Sequence, residues 1–266
     1  MDQPAVLRTN AGPGIVRLTL NRPGQRNALS GELMTALETA LDETAADPDV
    51  RVVILGANGP AFCAGHDLKE MTAHRQDTDK GAAFFAGLFG QCSRLMTKIV
   101  RHPRPVIAEV HALATAAGCQ LVASCDLAVA AESAHFATPG VNIGLFCSTP
   151  MVALSRNVGR KQAMEMLLTG ESLSAARARE IGLVNRVTPA HGLSSETETL
   201  AALIAAKPVA TLKLGKAAFY QQAEMTLEAA YAFASETMTM NMLNAEANEG
   251  ILAFVEKRPP AWPKGE

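Results

Sequence analysis

The feature that most constrains this chain is a set of short apolar runs parted by helix-length stretches. Runs at 14–20, 51–56, 105–111 and 126–131 each have the length of one strand, and the segments 30–46 and 79–100 read as helices. Strand and helix alternating in this way point to an α/β fold. Asp47-Pro48-Asp49 stops the first helix, and His102-Pro103-Arg104-Pro105 makes a rigid entry to the third run. From Met151 onward the pattern is nearly all helical. Pro189 and Pro208 act as breakers there, and the methionine-rich stretch 225–243 reads as a long amphipathic segment.

Two small-residue turns follow two of the runs. Phe62-Cys63-Ala64-Gly65-His66-Asp67-Leu68 comes after the apolar run Arg51-Val52-Val53-Ile54-Leu55-Gly56, where a buried strand has ended. Ala114-Thr115-Ala116-Ala117-Gly118-Cys119-Gln120 follows Pro105–His111 and opens a helix of small residues running to about Ser124. The first N–H groups of a helix lack intrahelical partners and carry partial positive charge. Small neighbours leave such an N–H open to a ligand atom, so the two turns together read as a pair of donors for one developing oxyanion.

Composition narrows the partners. A chain of 266 residues with 48% hydrophobic and 19% charged content can bury a large core without disulfides or metals. A net charge of -2 with no long Lys/Arg run leaves no footprint for nucleic acid or an anionic membrane, and neither partner is expected. Met1-Asp2-Gln3-Pro4 begins neither a signal peptide nor an Arg- and Ser-rich presequence, so a cytoplasmic location is expected. The five cysteines (Cys63, Cys92, Cys119, Cys125, Cys147) form no C-x-x-C pair and read as reduced, buried thiols, with Cys119 and Cys147 placed near the site. His74, His135 and His191 make no pair at metal-ligand spacing, and no metal site is expected.

Asn21-Arg22-Pro23, Arg26-Asn27-Ala28-Leu29, Ala64-Gly65-His66-Asp67-Leu68, the turn before Cys119 and Ala253-Phe254-Val255-Glu256-Lys257-Arg258 together resemble the enoyl-CoA hydratase/isomerase (crotonase) family. The resemblance spans about residues 15–258. It implies a spiral of ββα units over 1–207 and a C-terminal helical region, 208–266, that mediates assembly into a homotrimer or a dimer of trimers. It also implies an acyl-CoA thioester as ligand, coenzyme A arriving as part of the substrate rather than as a resident cofactor. The backbone N–H groups of His66 and Ala117 take the place of the oxyanion donors. Arg26 and Ala28 then line the adenine and pantetheine side, and Ala64 and Leu68 continue the channel. Asp67, Ala116, Gly118, Pro139, Gly140 and Leu145 stand with them on the substrate side, while Phe254 and Lys257 reach a neighbouring subunit's nucleotide.

The chain departs from the family where acid and base are needed. Hydratases of this family resemble one another in carrying two glutamates, and the corresponding positions here hold Gln120 and Gly140. An amide can orient a water or a polar acyl substituent but cannot exchange a proton as a carboxylate does. His66 is the available substitute, as acid, base or carboxylate binder. Asp67 reads first as a helix cap. Three readings follow: a hydratase working through another group, a decarboxylase of a carboxylated acyl-CoA, whose enolate forms without a base, and a non-catalytic acyl-CoA binder.

Overall fold

The structure, a computed structural model, describes residues 3–263. Among the described residues ten strands form two sheets: β1 (Val6–Gly12), β2 (Ile15–Leu20), β3 (Val52–Ala57), β4 (Ala61–Cys63), β5 (Val106–Val110), β6 (Leu113–Thr115), β7 (Leu127–Ala131), β8 (His135–Ala137), β9 (Leu173–Ser174) and β10 (Arg186–Thr188). The larger sheet has the order β1-β2-β3-β5-β7-β10 and the smaller β4-β6-β8-β9. Neighbours are parallel except β1 with β2 and β8 with β9.

The helices are α1 (Gly31–Ala46), α2 (Leu68–His74), α3 (Ala82–Val100), α4 (Ala117–Ser124), α5 (Ser148–Asn157), α6 (Arg160–Thr169), α7 (Ala175–Glu180), α8 (Leu193–Ala205), α9 (Val209–Gln222), α10 (Leu227–Met242) and α11 (Ala245–Val255). In each of the pairs β3–β4, β5–β6 and β7–β8 the first strand joins the large sheet and the second joins the small one, and a helix follows. The chain thus winds as repeated ββα units, the spiral expected from the sequence.

The large sheet is covered on both faces, which is why its strands read as unbroken apolar runs. With side chains alternating along each strand, Val52, Ile54, Ile107 and Val129 pack with Leu193, Leu200 and Ala201 of α8. Val53, Leu55, Val106 and Ala108 pack on the other side with Leu33, Leu37 and Leu41 of α1 and Leu95 and Ile99 of α3. The helix expected at 79–100 starts later because residues 75–81 form a loop ending at Gly81 (φ +84), where a β-carbon would stand 2.8 Å from His74 O.

To the nearly all-helical pattern expected after Met151 the structure adds two short strands, β9 and β10, which close the edges of the two sheets. The stretch 225–243 forms α10, but Thr237 is its one buried residue. Its methionines, Met238, Met240 and Met242, are exposed, so among the described residues nothing covers the face that carries them. Helices α9, α10 and α11 pack on one another. Lys216 of α9 ties them to the rest of the chain: buried, it donates to Asp126 Oδ2 (2.7 Å), Ile99 O (3.2 Å) and Arg104 O (3.1 Å). Tyr220 donates to the other oxygen of the same carboxylate at 3.0 Å.

Candidate active site

The first turn is laid against residues 26–29. Ala64 N–H donates to Arg26 O (3.1 Å), Leu29 N–H to Gly65 O (2.7 Å) and Asp67 N–H to Leu29 O (3.4 Å). Arg26 and Asn27 both hold left-handed backbone angles (φ 51 and 52), and Asn27 locks the bend from inside. Its fully buried amide donates to Asn58 O (2.8 Å) and Ala61 O (2.9 Å) and accepts from Arg22 N–H (2.8 Å). Arg26 meets Ala64 through its carbonyl while its side chain is exposed, and Ala28 lies two residues on in the same segment.

The second turn leaves β6 at Thr115. Ala116 N–H donates to Ala137 O (2.9 Å), and Ala116 takes φ 52, ψ -119, a conformation suited to glycine and costly for alanine by about 1–3 kcal/mol. That twist sets the direction of the next peptide, whose N–H belongs to Ala117, the first residue of α4. The two turns are pressed together. A β-carbon on Gly65 would stand 3.0 Å from Ala116 Cβ and 3.5 Å from Ala117 N, and one on Gly118 only 2.2 Å from Cys63 O. Among the described residues no acceptor meets the N–H of His66 or of Ala117.

The side chains of this region converge on α3. The His66 ring lies edge-on to Phe89, centroids 5.5 Å apart, and its Nδ1 is 3.3 Å from Leu29 O. A carbonyl only accepts, so Nδ1 carries the proton and Nε2 presents a lone pair. That Nε2 is buried with no hydrogen-bond partner, and burial pulls the imidazole pKa below its ordinary value, keeping the ring neutral at pH 7. Gln120, 4% exposed, accepts at Oε1 from the Cys92 thiol (3.8 Å), one turn along α3 from Phe89. Thr138, 1% exposed, holds a second partnerless oxygen, Oγ1, next to the Ala137 carbonyl that anchors the second turn.

Carboxylates near these turns are already engaged. Asp67 caps α2, accepting from Lys69 N (2.9 Å) and Glu70 N (3.2 Å). Glu70 accepts from Gly31 N (3.3 Å) at the start of α1. Asp126, which precedes β7, is held by Lys216, Tyr220 and Val106 N. At the remaining departure, a β-carbon on Gly140 would lie 2.5 Å from Leu145 O and 2.9 Å from Cys147 Sγ, and Leu145 N–H donates to Gly140 O (2.9 Å). The loop after Pro139 thus occupies the space into which a side chain at 140 would project. The thiols are no substitute: burial pushes Cys119 and Cys63 up to about 12 and raises Cys147.

The structure gathers Arg26, Ala28, Ala64, His66, Asp67, Ala116, Ala117 and Gly118 at one place, with Gln120 one turn into α4 and Pro139 and Gly140 just beyond β8. Leu68 and Leu145 are exposed beside these segments. Phe254, 85% exposed, and Lys257 stand at the end of α11, whose packing is with α9 and α10, and the single chain does not bring them to the turns. Sequence reasoning missed the Ala116 twist, the Phe89–Cys92 face and Thr138. Only the Ala-Ala-Gly stretch itself gave any signal, through the small size of its residues.

The sequence profile described as Enoyl-CoA hydratase/isomerase matches residues 10–265. Enoyl-CoA hydratase domain-containing protein 3, mitochondrial, of Mus musculus is 46% identical over 261 residues, covering 98% of this chain and 85% of that protein. The crystal structure of enoyl-CoA hydratase from Mycobacterium smegmatis superposes with a TM-score of 0.93 at 53% identity, covering 98% of this chain and 99% of the other. That of human enoyl Coenzyme A hydratase domain-containing protein 3 gives 0.91 at 45% identity, covering 97% and 100%. The cytoplasmic location expected from the N-terminal residues is overturned by these relatives, since the mouse and human proteins are named mitochondrial. Four residues at one end are a poor guide to compartment, and the fold that the relatives share carries no address of its own.

Proposed function

The chain belongs to the enoyl-CoA hydratase/isomerase family, and from that premise we propose that it binds an acyl-CoA thioester and polarises its carbonyl between the N–H groups of His66 and Ala117. The single observation that carries this reading is the contact of the two turns, each with one N–H that meets no acceptor among the described residues. Donors fixed in place before the reaction stabilise a developing oxyanion without reorganising, and loss of one costs on the order of 10²–10³ in rate.

Hydration through a glutamate pair is not built into this site. Gln120 transfers no proton, Gly140 has no side chain, and the neighbouring carboxylates are committed to helix ends or to Lys216. Each missing positioned acid or base lowers the rate by on the order of 10²–10⁴. Decarboxylation of a carboxylated acyl-CoA avoids that need, but burial disfavours the charged form of the His66 imidazole that would pair with its carboxylate. The exposed apolar residues Tyr231, Met238, Leu243 and Phe254 of the region after Lys207 support its role in subunit contact, with Phe254 and Lys257 completing a neighbour's coenzyme A site.

Thermal unfolding with butyryl-CoA, together with turnover of crotonyl-CoA and methylmalonyl-CoA, tests the reading. Ligand at a hundred times its Kd stabilises the native state by about 2.7 kcal/mol. We expect that rise in Tm, with slow crotonyl-CoA turnover. No stabilisation and no turnover of either substrate contradict it.

A further inference from the structure

We propose that the segment after α11, residues 256–262, is a strap whose Arg258 and Trp262 are positioning residues for Lys257, so that the lysine ammonium is held in one place for the phosphates of a neighbouring subunit's coenzyme A. The proposal rests on the acyl-CoA reading and on the subunit contact proposed with it, and it specifies what aims the nucleotide end of that site.

Helix α11 ends in a closed turn. Lys257 N–H donates to Phe254 O (3.2 Å) and Arg258 N–H to Ala253 O (3.0 Å), the pair of bonds that ends a helix on a left-handed residue. That residue is Lys257, at φ 53, where glycine is usual and a β-carbon is unfavourable. A long cation thus stands where local conformation alone would favour glycine, and the chain beyond keeps it there. Arg258 grips Glu249 of α11 through two parallel bonds (Nη1 to Oε1 2.6 Å, Nη2 to Oε2 2.9 Å), and its Nε donates to Glu256 Oε2 (2.6 Å). Glu249 Oε1 also accepts from Ala261 N–H (2.7 Å). Trp262 then donates from Nε1 to Ala206 O (3.1 Å), between α8 and α9, and its ring lies against Gly250, where a β-carbon would stand 3.2 Å from it. The other end of α11 is fixed as well. Buried Glu246 accepts from Ala210 N–H (3.3 Å) and Thr211 N–H (3.1 Å) at the start of α9. The hydrogen bonds from Arg258 hold the Glu249 carboxyl down to about 2, so the grip persists at physiological pH. Within Glu256-Lys257-Arg258 the outer two pair with each other, and among the described residues no carboxylate pairs with Lys257. A cation ordered in advance loses less freedom on meeting a phosphate than one on a loose tail.

Isothermal titration of the full chain with butyryl-CoA and with butyryl-pantetheine, which keeps the thioester and lacks the nucleotide, tests this, with sedimentation velocity on each variant. Arg258→Lys keeps the charge and loses the double grip; Trp262→Phe keeps a ring and loses the N–H. In each we expect butyryl-CoA to bind about threefold to tenfold more weakly, the span of one net hydrogen bond, with butyryl-pantetheine affinity and the size of the assembly unchanged. Lys257→Met lowers the ratio of the two affinities by itself, and adding Arg258→Lys to it lowers the ratio no further. A ratio unmoved in either strap variant, an equal loss for both ligands, a loss that comes only with dissociation of the assembly, or a further fall in the Lys257→Met background overturns the proposal. Failure of both thioesters to bind the unaltered protein defeats the acyl-CoA reading and this inference with it, whereas butyryl-CoA binding that the strap variants leave unchanged defeats this inference alone.

Discussion

The two turns present the same chemical group by different means. The first bends at Gly65, where φ +87 costs a glycine little, and its open N–H belongs to a residue with a bulky, neutral, hydrogen-bonded side chain. The second bends at Ala116, where φ 52 and ψ -119 are costly, and its open N–H begins a helix of small residues. The first turn is relaxed in its backbone and elaborate in its side chain; the second is strained in its backbone and bare. Strain at Ala116 persists because the surrounding contacts fix it: Ala116 N–H is held by Ala137 O, and Gly118 sits against the Cys63 backbone. Position of the Ala117 N–H is thus obtained at the expense of stability.

Pushing the turns apart should have the largest effect. In Gly118→Ala the new methyl meets Cys63 O at 2.2 Å, and we expect a loss of about 3 kcal/mol in urea denaturation. An unchanged midpoint would mean that the turns are not in contact. Relieving the strain should act the other way. Ala116→Gly is expected to gain about 1 kcal/mol, and a loss of stability there would remove the distinction between the turns. On the first turn, Asp67→Ala removes the cap of α2 and should cost about 1 kcal/mol by the same measurement.

The smallest effect is one of pH. Burial holds His66 below the ordinary histidine pKa, and His102 likewise. Well above about pH 6.5 both are neutral whether folded or unfolded, and they contribute no slope. As pH falls below that value the unfolded chain takes up protons first, so stability declines until the folded pKa values are passed. His66→Gln should flatten part of this decline. An unaltered slope would place the His66 ring in water rather than against Phe89.

Much of the frame was readable beforehand because its strands are long and covered on both faces; Val52–Leu55 admits little else. The three-residue strands β4, β6 and β8 escaped because three residues display no period. At the site, the glycines at 65 and 118 and the small residues between 114 and 119 marked the turns. The strain at Ala116 was hidden, since alanine gives no hint of positive φ. Gly140 read as a lost side chain, whereas the fold adds that the 145–147 loop fills the space beside it. The methionine-rich stretch 225–243 read as a long amphipathic segment, and among the described residues its Met238, Met240 and Met242 stand exposed.

The central claim is that the His66 and Ala117 N–H groups together grip one thioester oxygen. Isotope-edited infrared spectroscopy of butyryl-CoA labelled with carbon-13 at the thioester carbonyl reads that grip directly. Ala116→Gly/Ala117→Pro, compared with Ala116→Gly alone, removes one donor while keeping a residue tolerated at the first position of a helix. We expect a carbonyl stretch lowered on binding to the unaltered protein and to Ala116→Gly, and returned most of the way toward the free value in the double variant. A bound carbonyl at the same frequency as in free solution, or one equally lowered with and without the Ala117 N–H, would contradict it.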